Sequence, residues 1–424
     1  MQDRPLLIAA LDAIRKGGGI AGEVLISSTE WLEQTGSRAM PVQGRQTTWT
    51  VRAWRAGGAT GIGIAAGMEQ AVAAAFAALP GAPPDPNAGP VERQDVRAAG
   101  LGTSDRRYPS IEPGDRVELL DLAERAFDKT KETVRLARLH YRQERTTRSW
   151  ASTRGTECTE TSTRFVLDGT VDAGPGGTFT QMIASRHFSD VASLPFGTDL
   201  RRRAEPLSRS LTGALPDRPV LVEPRAMAEL ARALAPAFAA DHPGFVTRAL
   251  AGRTTPLRLA PPLLHITDDA GLHSGLWTVA FDDRGVSPVP LTLLREGIVG
   301  GRYHSPETAR AQRAGPTGHV RDGSLQPSNL VVRPGARTRN MIHAELGDVL
   351  LLDSPPPIDL ETGRLRGPAR VLSVVAGEPT GCHHVVFDVA VSDFLAGVVE
   401  FAADQERHVG VDTSTAVWDR LRLA

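Results

Sequence analysis

The chain has 424 residues, of which 41% are hydrophobic and 23% are charged, and its formal net charge is -1 at pH 7. This length and composition predict a large buried core divided among two or three domains. The near-neutral charge offers no long-range attraction to nucleic acid. The 31 prolines and 42 glycines follow no collagen-like period.

The number of cysteines and the lengths of the hydrophobic stretches indicate the cellular compartment. The two cysteines, Cys158 and Cys382, are far apart in a chain too long to need a disulfide. The apolar stretch at the start is too short and interrupted for a signal peptide, and no later run reaches membrane-spanning length. We therefore expect a soluble, cytoplasmic protein that binds no membrane.

The first eighty residues predict a helix, two strands and a second helix. Asp3 can cap the first helix, and Gly17 follows its last apolar residues. Residues Glu23–Ser28 and Thr48–Arg55 have the alternation of a half-buried antiparallel sheet. The glycine-rich stretch Gly57–Ala65 lacks the spacing of a phosphate-binding loop, so we interpret it as a strand that packs on the helix 66–79.

The amino-acid composition changes twice in the middle of the chain. Residues Pro80–Gly102 read as an exposed connector. Asp115 with Glu118 resembles a capping box, which predicts a long helix to about Leu139. The polar stretch His140–Asp172 predicts β-structure.

The last half is predicted to be mostly β. Pro224–Ala240 reads as a helix that Pro236 must kink or end. Short strands separated by turn residues are predicted at Trp277–Phe281, Val289–Leu294, Asn329–Val332, Val349–Leu352, Arg370–Val375 and Val385–Val391. This spacing favours a sandwich or barrel. The predicted domain limits are 1–80 and 111–215 for an N-terminal domain, 81–110 for its connector and 216–424 for a C-terminal domain.

The stretch from Phe281 to Gly335 closely resembles the TldD/PmbA family. Its members carry an acidic pair, a Glu-Asn-Gly-like turn, a tyrosine, an Ala-Arg helix and a Thr-Gly-Asn-Ala/Gly-Arg motif in this order. The matching segments here are Asp282-Asp283-Arg284-Gly285, Arg295-Glu296-Gly297, Tyr303, Thr308-Ala309-Arg310, Thr317-Gly318-His319-Val320-Arg321 and Ser328-Asn329. The element order of the first eighty residues fits as well, so the resemblance covers nearly the whole chain.

The resemblance implies an α+β protein, with an N-terminal α/β domain of helices on an antiparallel sheet followed by a β-rich, barrel-like C-terminal domain. It also implies a heterodimer, because a zinc-bearing TldD-type chain with a His-Glu-x-x-x-His motif pairs with a metal-free TldE/PmbA-type chain. Counted back from Asp241, the motif positions fall near Ala231, Arg232 and Pro236, which cannot bind zinc or act as a base.

We therefore expect the non-catalytic subunit of a metallopeptidase or amidase, with no cofactor in this chain and zinc in the partner. The substrate would be a peptide or amide, with a role in specialised, antibiotic-type metabolism as one hypothesis. A stand-alone protein that binds peptides or small amides without turnover is the alternative.

Four residues are predicted to contact substrate: His319, Arg321, Asn329 and Arg333. His319 stands where the family usually has asparagine, and either a substrate contact or a polar turn residue fits it. Asn329 and Arg333 lie on a predicted strand that could add an extended peptide to a sheet edge or be an ordinary edge strand. No residue is predicted to be catalytic or to bind metal.

Two other groups of side chains invite a chemical interpretation. Cys382 and His384 can share one face of a strand, which leaves a cysteine-dependent hydrolase open, but two ligands do not make a zinc site. A structural or surface role is the simpler interpretation. Asp282-Asp283 stands in an Asp-Asp-Arg-Gly turn signature, so it is assigned no acid–base role.

Overall fold

The computed structural model describes residues 3–127 and 134–421, and its first half is built on a six-stranded antiparallel sheet. The strand order is β3-β2-β1-β4-β5-β6. The strands are β1 (Ala21–Thr35), β2 (Val42–Trp54), β3 (Thr60–Ala65), β4 (Arg135–Ser152), β5 (Glu157–Asp172) and β6 (Thr178–Ser185).

Five helices accompany this sheet: α1 (Arg4–Lys16), α2 (Met68–Ala78), α3 (Pro113–Arg125), α4 (Phe188–Ala192) and α5 (Phe196–Ala204). Alternate residues of the central strands, such as Val24 and Leu167, point into the cores that these helices cover. The opposite face carries Leu25, Trp150 and Cys158, which pack against Phe281 of the second half. One face of the sheet is therefore an interface between the two halves of the chain.

The glycine-rich strand β3 packs on α2 as predicted. A Cβ atom at Gly61 would lie 1.9 Å from the carbonyl oxygen of Ala75, and one at Gly63 would lie 2.0 Å from that of Ala71. Only glycine permits this approach of strand to helix. The glycines serve packing, which confirms the structural interpretation of this segment.

The second half forms an eleven-stranded mixed sheet. The path is β10-β9-β8-β13-β19-β7-β14-β16-β15, with β17 paired to β16 and β18 paired to β19. Its strands are β7 (Val220–Val222), β8 (Ile266–Asp268), β9 (Leu291–Arg295), β10 (Ile298–Val299), β13 (Leu330–Val332), β14 (Val349–Ser354), β15 (Ile358–Asp359), β16 (Arg364–Val375), β17 (Glu378–Ala390), β18 (Val398–His408) and β19 (Val411–Trp418). A separate two-stranded ribbon joins β11 (Val320–Arg321) to β12 (Ser324–Leu325).

Helix α6 (Pro224–Leu234) buries its apolar face in the largest core, against β18 and β19. As predicted, it ends before Pro236, and a 3-10 turn, Ala235–Phe238, follows. The remaining helices are α7 (Phe245–Leu250), α8 (Pro306–Gln312), α9 (Arg339–Leu346) and α10 (Val391–Leu395). In the described part of the chain, no helix is long and apolar enough to cross a membrane.

The mixed α+β class is confirmed, but four details of the sequence prediction are wrong. Among the described strands neither sheet closes into a barrel, because the path of the larger one ends at β10 and β15. The segment Trp277–Phe281 is a loop, and its N–H groups bond outside any strand ladder: that of Trp277 to Asn329 Oδ1 and that of Ala280 to Glu160. The connector is not wholly exposed, because Val91 is buried and donates its N–H to Glu23.

The fourth error is the long helix. Helix α3 begins at Pro113 and ends at Arg125, and residues 135–139 already belong to β4. The predicted helical residues 128–133 lie outside the described ranges. The capping contact involves Glu112, whose N–H donates to the Asp115 carboxylate at 2.9 Å, and not Asp115 with Glu118.

Candidate functional site

The loop between β8 and β9 places Trp277 between the two sheets. The Trp277 N–H donates to Asn329 Oδ1 at 2.9 Å. The Asn329 amide nitrogen donates at 2.9 Å to the carbonyl oxygen of Asp269 and at 2.9 Å to Thr278 Oγ1. Asn329 is buried and both N–H donors of its amide are used inside the chain, so it positions Trp277.

A second clamp holds the same loop from the six-stranded sheet. The buried guanidinium of Arg186 donates to the carbonyl oxygens of Thr278, at 2.9 Å, and Gly275, at 3.2 Å. It also donates to the carbonyl oxygen of Thr163 on β5 at 3.1 Å. Burial lowers the pKa of Arg186 to about 10. The position of Trp277 is therefore fixed from both halves of the chain.

Three arginines surround the Trp277 indole. Their guanidinium carbons lie 5.3 Å (Arg164), 5.5 Å (Arg232) and 4.9 Å (Arg321) from the ring centroid. They come from β5, α6 and β11, so the cluster exists only when both halves have folded together. Arg164 forms an ion pair with Glu144 at 2.6 Å. These distances are typical of cation–π contacts.

The other two guanidiniums differ from Arg164 in their partners. Within the described ranges, neither Arg232 nor Arg321 forms an ion pair with a carboxylate. Arg232 donates to the carbonyl oxygen of Ser328 at 2.9 Å, and Arg321 reaches the carbonyl oxygen of Trp277 at 3.5 Å. Burial lowers the pKa of both arginines, and neighbouring Arg148 lowers that of Arg321 further. Asp268 acts electrostatically on both arginines, but among the described residues neither guanidinium is in a direct ion pair.

A buried carboxylate, Asp268, lies beside this cluster at the end of β8. Tyr303 Oη donates to Asp268 Oδ2 at 2.6 Å, and the Ser328 N–H donates to the same oxygen at 2.8 Å. The Ser328 hydroxyl donates to Oδ1. Burial raises the pKa of Asp268, but His319 and these donors outweigh burial and hold the pKa below its ordinary value. Asp268 is therefore ionised at neutral pH.

His319, the first predicted site residue, is buried against this carboxylate. Its Nδ1 lies 2.8 Å from the carbonyl oxygen of Thr317, and its ring centroid lies 4.8 Å from that of Tyr303. Its Nε2 lies 3.5 Å from Asp268 Oδ1 and has no hydrogen-bond partner among the described residues. Because Nδ1 faces a carbonyl oxygen, Nδ1 carries a proton, while Nε2 faces the Asp268 carboxylate.

His319 and Arg321 line one small cavity of about 10 Å³, room for about one water molecule. Asp282 forms part of its wall. The structure thus brings His319 and Arg321, two of the four predicted site residues, together. They lie beside Trp277, which a third predicted residue, Asn329, holds in place. Their contact with substrate remains a prediction.

Asp282 caps a turn, as its sequence context predicts. Its carboxylate accepts backbone N–H bonds from Arg284 at 2.8 Å, Val286 at 3.0 Å and Val320 at 3.0 Å. Burial is the largest influence and raises the pKa of Asp282 to about 6, although the three bonds act in the opposite direction. The carboxylate joins the acidic turn to the ribbon that carries His319 and Arg321.

Arg333 lies apart from this site. Its side chain is exposed, with Nη2 3.0 Å from His265 Nδ1. The strand that precedes it, β13, pairs with β8 on one side and β19 on the other. Because both edges of β13 are occupied, the predicted edge strand, with or without an added peptide, is wrong.

Cys382 and His384 do not form a reactive pair. Cys382 is fully buried beneath the segment that contains Leu207, whereas His384 is exposed. Burial raises the pKa of the Cys382 thiol to about 11, which leaves it protonated and a poor nucleophile at neutral pH. The neighbouring His383 instead lies 3.1 Å from Ser373 Oγ. These contacts fit the structural interpretation.

By the count back from Asp241, the positions expected for the family's zinc motif fall on α6 and the turn that follows it. Ala231 is buried in the core, Arg232 points to Trp277, and Pro236 lies in the following 3-10 turn. In residues 3–127 and 134–421, no three His, Cys, Asp or Glu side chains are grouped to hold a metal ion. None of the side chains of Ala231, Arg232 and Pro236 can bind zinc.

Sequence reasoning missed Asp268, Tyr303, Trp277 and the position of Arg232. Asp268 offered one signal, because it is a carboxylate directly after two apolar or β-branched strand residues, Ile266 and Thr267. The other three contacts depend on pairings between strands far apart in the chain. No local pattern encodes them.

The fold and this cluster define a two-sheet α+β protein with a polar site between its halves. Residues 217–424 match the family described as the PmbA/TldA metallopeptidase C-terminal domain. The chain belongs to the TldD/PmbA family. No curated protein sequence matches it.

Solved structures share its fold over nearly the whole length. A Thermotoga maritima protein described as a proposed modulator of a DNA gyrase has a TM-score of 0.82 and 17% identity, covering 97% of each chain. A Bacteroides thetaiotaomicron protein of similar description has a TM-score of 0.82 and 15% identity, covering 98% of this chain and 97% of its own. TldE from Thermococcus kodakarensis has a TM-score of 0.82 and 15% identity, covering 99% and 98%.

Proposed function

We propose that this chain is the metal-free, TldE-like subunit of a heterodimeric cytoplasmic metallopeptidase or amidase. The observation that carries the proposal is that Ala231 and Arg232 on α6, and Pro236 in the turn after it, occupy the positions expected for the zinc motif in a chain that keeps the family's fold. A guanidinium in place of the motif's glutamate can neither accept a proton from water nor tolerate a nearby zinc ion. The partner supplies zinc and its water, and this chain supplies one wall of the substrate chamber.

The substrate side of the proposal rests on the site between the sheets. Trp277 offers a rigid apolar surface, and His319 and Arg321 place polar groups on the wall of the small cavity. Such a site binds and orients a peptide or amide without breaking it. Processing of a precursor in specialised metabolism is the pathway we propose.

Co-expression with a His-Glu-x-x-x-His homologue tests the pairing. We expect the two chains to co-elute as a heterodimer. When the chains are then separated and each is analysed for metal, we expect zinc in the partner chain and none in this chain. We also expect peptide hydrolysis by the pair and none by this chain alone. Zinc at unit stoichiometry in this chain alone would overturn the proposal. A chain that stays monomeric beside the partner, yet binds peptide, would instead be the stand-alone binding protein.

A further inference from the structure

We propose that the free edge of β6 binds an extended peptide segment, which adds to the six-stranded sheet as a seventh strand. That this peptide is the substrate rests on the proposed function. The edge and the space beside it rest on the contacts of this chain.

Strand β6 is the last strand of its sheet, and the turn before it fixes the direction of its backbone groups. The Ala173 N–H donates to the carbonyl oxygen of Gly177 at 2.9 Å, next to the first pair of the β5–β6 ladder. Bonded and non-bonded pairs alternate along an antiparallel ladder. Counted from this bond, the N–H and C=O groups of Met182 and Ala184 point away from β5.

The contact of Thr178 supports this direction independently. Thr178 has the same phase along β6, and its carbonyl oxygen accepts a bond at 2.7 Å from Arg370 Nη1 on β16. Among the residues that the structure describes, no hydrogen bond from another element reaches the main chain of Met182 or Ala184. The Met182 residue is 43% exposed, so this part of the edge is open. Unpaired strand edges accept added strands through such groups.

A cavity of about 190 Å³ borders the open part of the edge, which is room for on the order of a dozen water molecules. The strand residues that line it are Met182–Ser185, four in succession. Because strand side chains alternate between the two faces of a sheet, four successive residues line a cavity along the strand's edge and not along one face. A strand added in this space would lie about 4.8 Å from β6.

The cavity adjoins the Trp277 site. Its apolar wall includes Val191 and Leu194, from α4 and the turn after it, and Leu276 and Val409, from the second half. Trp277 directly follows Leu276, and its Nε1 donates to the carbonyl oxygen of Val409 at 3.4 Å. A peptide on β6 would therefore pass beside the loop that both halves of the chain hold in place.

The charged groups of the wall already have partners. Arg407 donates to the two Asp412 oxygens at 2.5 and 2.7 Å, and Asp190 accepts from Ser185 Oγ at 2.6 Å. The His408 imidazole has a carboxylate partner on its own strand. A ligand therefore needs no charge of its own, and the feature that the edge can recognise is the main chain. We expect the binding to depend little on peptide sequence.

N-methylation of a peptide tests the main-chain contacts on the full-length wild-type chain. The probe is a fluorescein-labelled hexapeptide of alternating threonine and valine, and fluorescence anisotropy measures its affinity. Full N-methylation should weaken binding about tenfold or more, because no N–H remains for the edge. Methylation of alternate residues leaves one edge of the peptide intact, so this peptide should keep most of its affinity.

Proline substitutions test the strand itself. Met182→Pro removes an outward N–H but no bond to β5, and edge strands tolerate proline. We expect it to weaken binding of the unmethylated peptide about tenfold. Met182→Thr keeps the N–H and should keep the affinity. Thr178→Pro is the matched control, since its N–H has the same direction but lies outside the cavity. Circular dichroism should show the same fold in all three variants.

The outcomes separate this proposal from the pairing of subunits. Equal affinity for the unmethylated and fully methylated peptides, no binding of either, or wild-type affinity in Met182→Pro would overturn it. Met182→Pro should still co-elute with the zinc-bearing homologue. Loss of co-elution with unchanged peptide binding would assign the edge to the partner subunit instead. Because co-elution and peptide affinity are measured separately, either proposal can fail while the other stands.

Discussion

At the scale of single residues, Arg284 joins the two halves of the molecule. Its Nε lies 2.9 Å from a Glu23 carboxylate oxygen on β1, and its Nη1 lies 2.7 and 2.8 Å from the two Glu307 oxygens on α8. The side chains of Arg284 and Glu23 are 5% and 0% exposed. Burial lowers the pKa of Arg284, but the two glutamates outweigh burial and raise it. Removing one member leaves a buried charge without its partner.

Arg284→Gln should therefore lower the free energy of unfolding by about 3–5 kcal/mol, because Glu23 would remain buried and uncompensated. Urea denaturation followed by circular dichroism measures this. Arg135→Gln is the matched control, since Arg135 pairs with Asp172 but is 75% exposed. That change should cost less than about 1 kcal/mol. Equal losses in the two variants would contradict the prediction.

Asp282 should make stability depend on pH in the direction opposite to an ordinary ion-paired carboxylate. Its folded pKa, about 6, lies above the ordinary value of 3.8, so the folded state retains a proton that the unfolded state has lost. Its contribution is fully present below pH 3.8 and is lost as the pH rises through about 6.

The measurement is urea denaturation at pH 4 and pH 7. The free-energy difference between the wild type and Asp282→Asn should shift by up to about 3 kcal/mol in favour of the variant at pH 7. Asp95→Asn, whose carboxylate is exposed, should show no such shift. A pH-independent difference for Asp282→Asn would refute the prediction.

The site residues show what a sequence can and cannot specify. His319 and Arg321 belong to a local motif on one ribbon, so sequence reasoning could place them together. Arg333 is only about a dozen residues farther along, yet it follows β13 and lies exposed beside His265. The partners of His319 come from β8 and from the segment before α8, and only the tertiary fold brings them into contact.

At the scale of elements, local patterns predicted part of the strands β1 and β2 and the termination of α6 before Pro236, but not the full length of the strands. The helix after Asp115 was predicted too long because Val134 and Leu136 continue its apolar spacing. Val134 instead lies just before β4 and Leu136 in its bulged start, where pairing with β5 decides the conformation. Strand order was not predictable, since β19 pairs with strands that lie far from it in the chain.

The contact between β3 and α2 provides a test at this scale. Gly63→Ala should lower the free energy of unfolding by about 1–3 kcal/mol or more, because the added Cβ overlaps the helix backbone at Ala71. Gly114→Ala is the control, since a Cβ there meets nothing within 4 Å and the residue is helical. It should be neutral or slightly stabilising. Thermal unfolding compares both with the wild type, and a neutral Gly63→Ala would refute the packing argument.

At the scale of the whole molecule, the two halves share hydrophobic cores. One core joins Leu167 and Phe179 of the first sheet to Leu372 and Cys382 of the second. Another joins Trp150 and other side chains of the first sheet to Phe281. Because each half buries part of the other, we expect them to unfold together.

The two cysteines report on this cooperativity, since one lies in each shared core. Burial raises the pKa of Cys158 to about 12 and that of Cys382 to about 11, so both thiols should be inert to a disulfide reagent in the folded protein. Single-cysteine variants, Cys158→Ala and Cys382→Ala, should become reactive at the same urea concentration, coincident with the loss of circular dichroism. Separate midpoints would show that the halves unfold independently.

The position of β19 has a consequence for synthesis on the ribosome. This strand, Val411–Trp418, lies between β13 and β7, which precede it by about eighty and two hundred residues. Until it emerges, β7 and β13 each have an unpaired edge in a nascent chain that already contains most of its hydrophobic residues. The six-stranded sheet can form first. Helix α6, which carries Arg232, packs on β19 and cannot complete this packing until the strand has been synthesised. The nascent protein is therefore most exposed to aggregation just before the strand that completes its larger sheet appears.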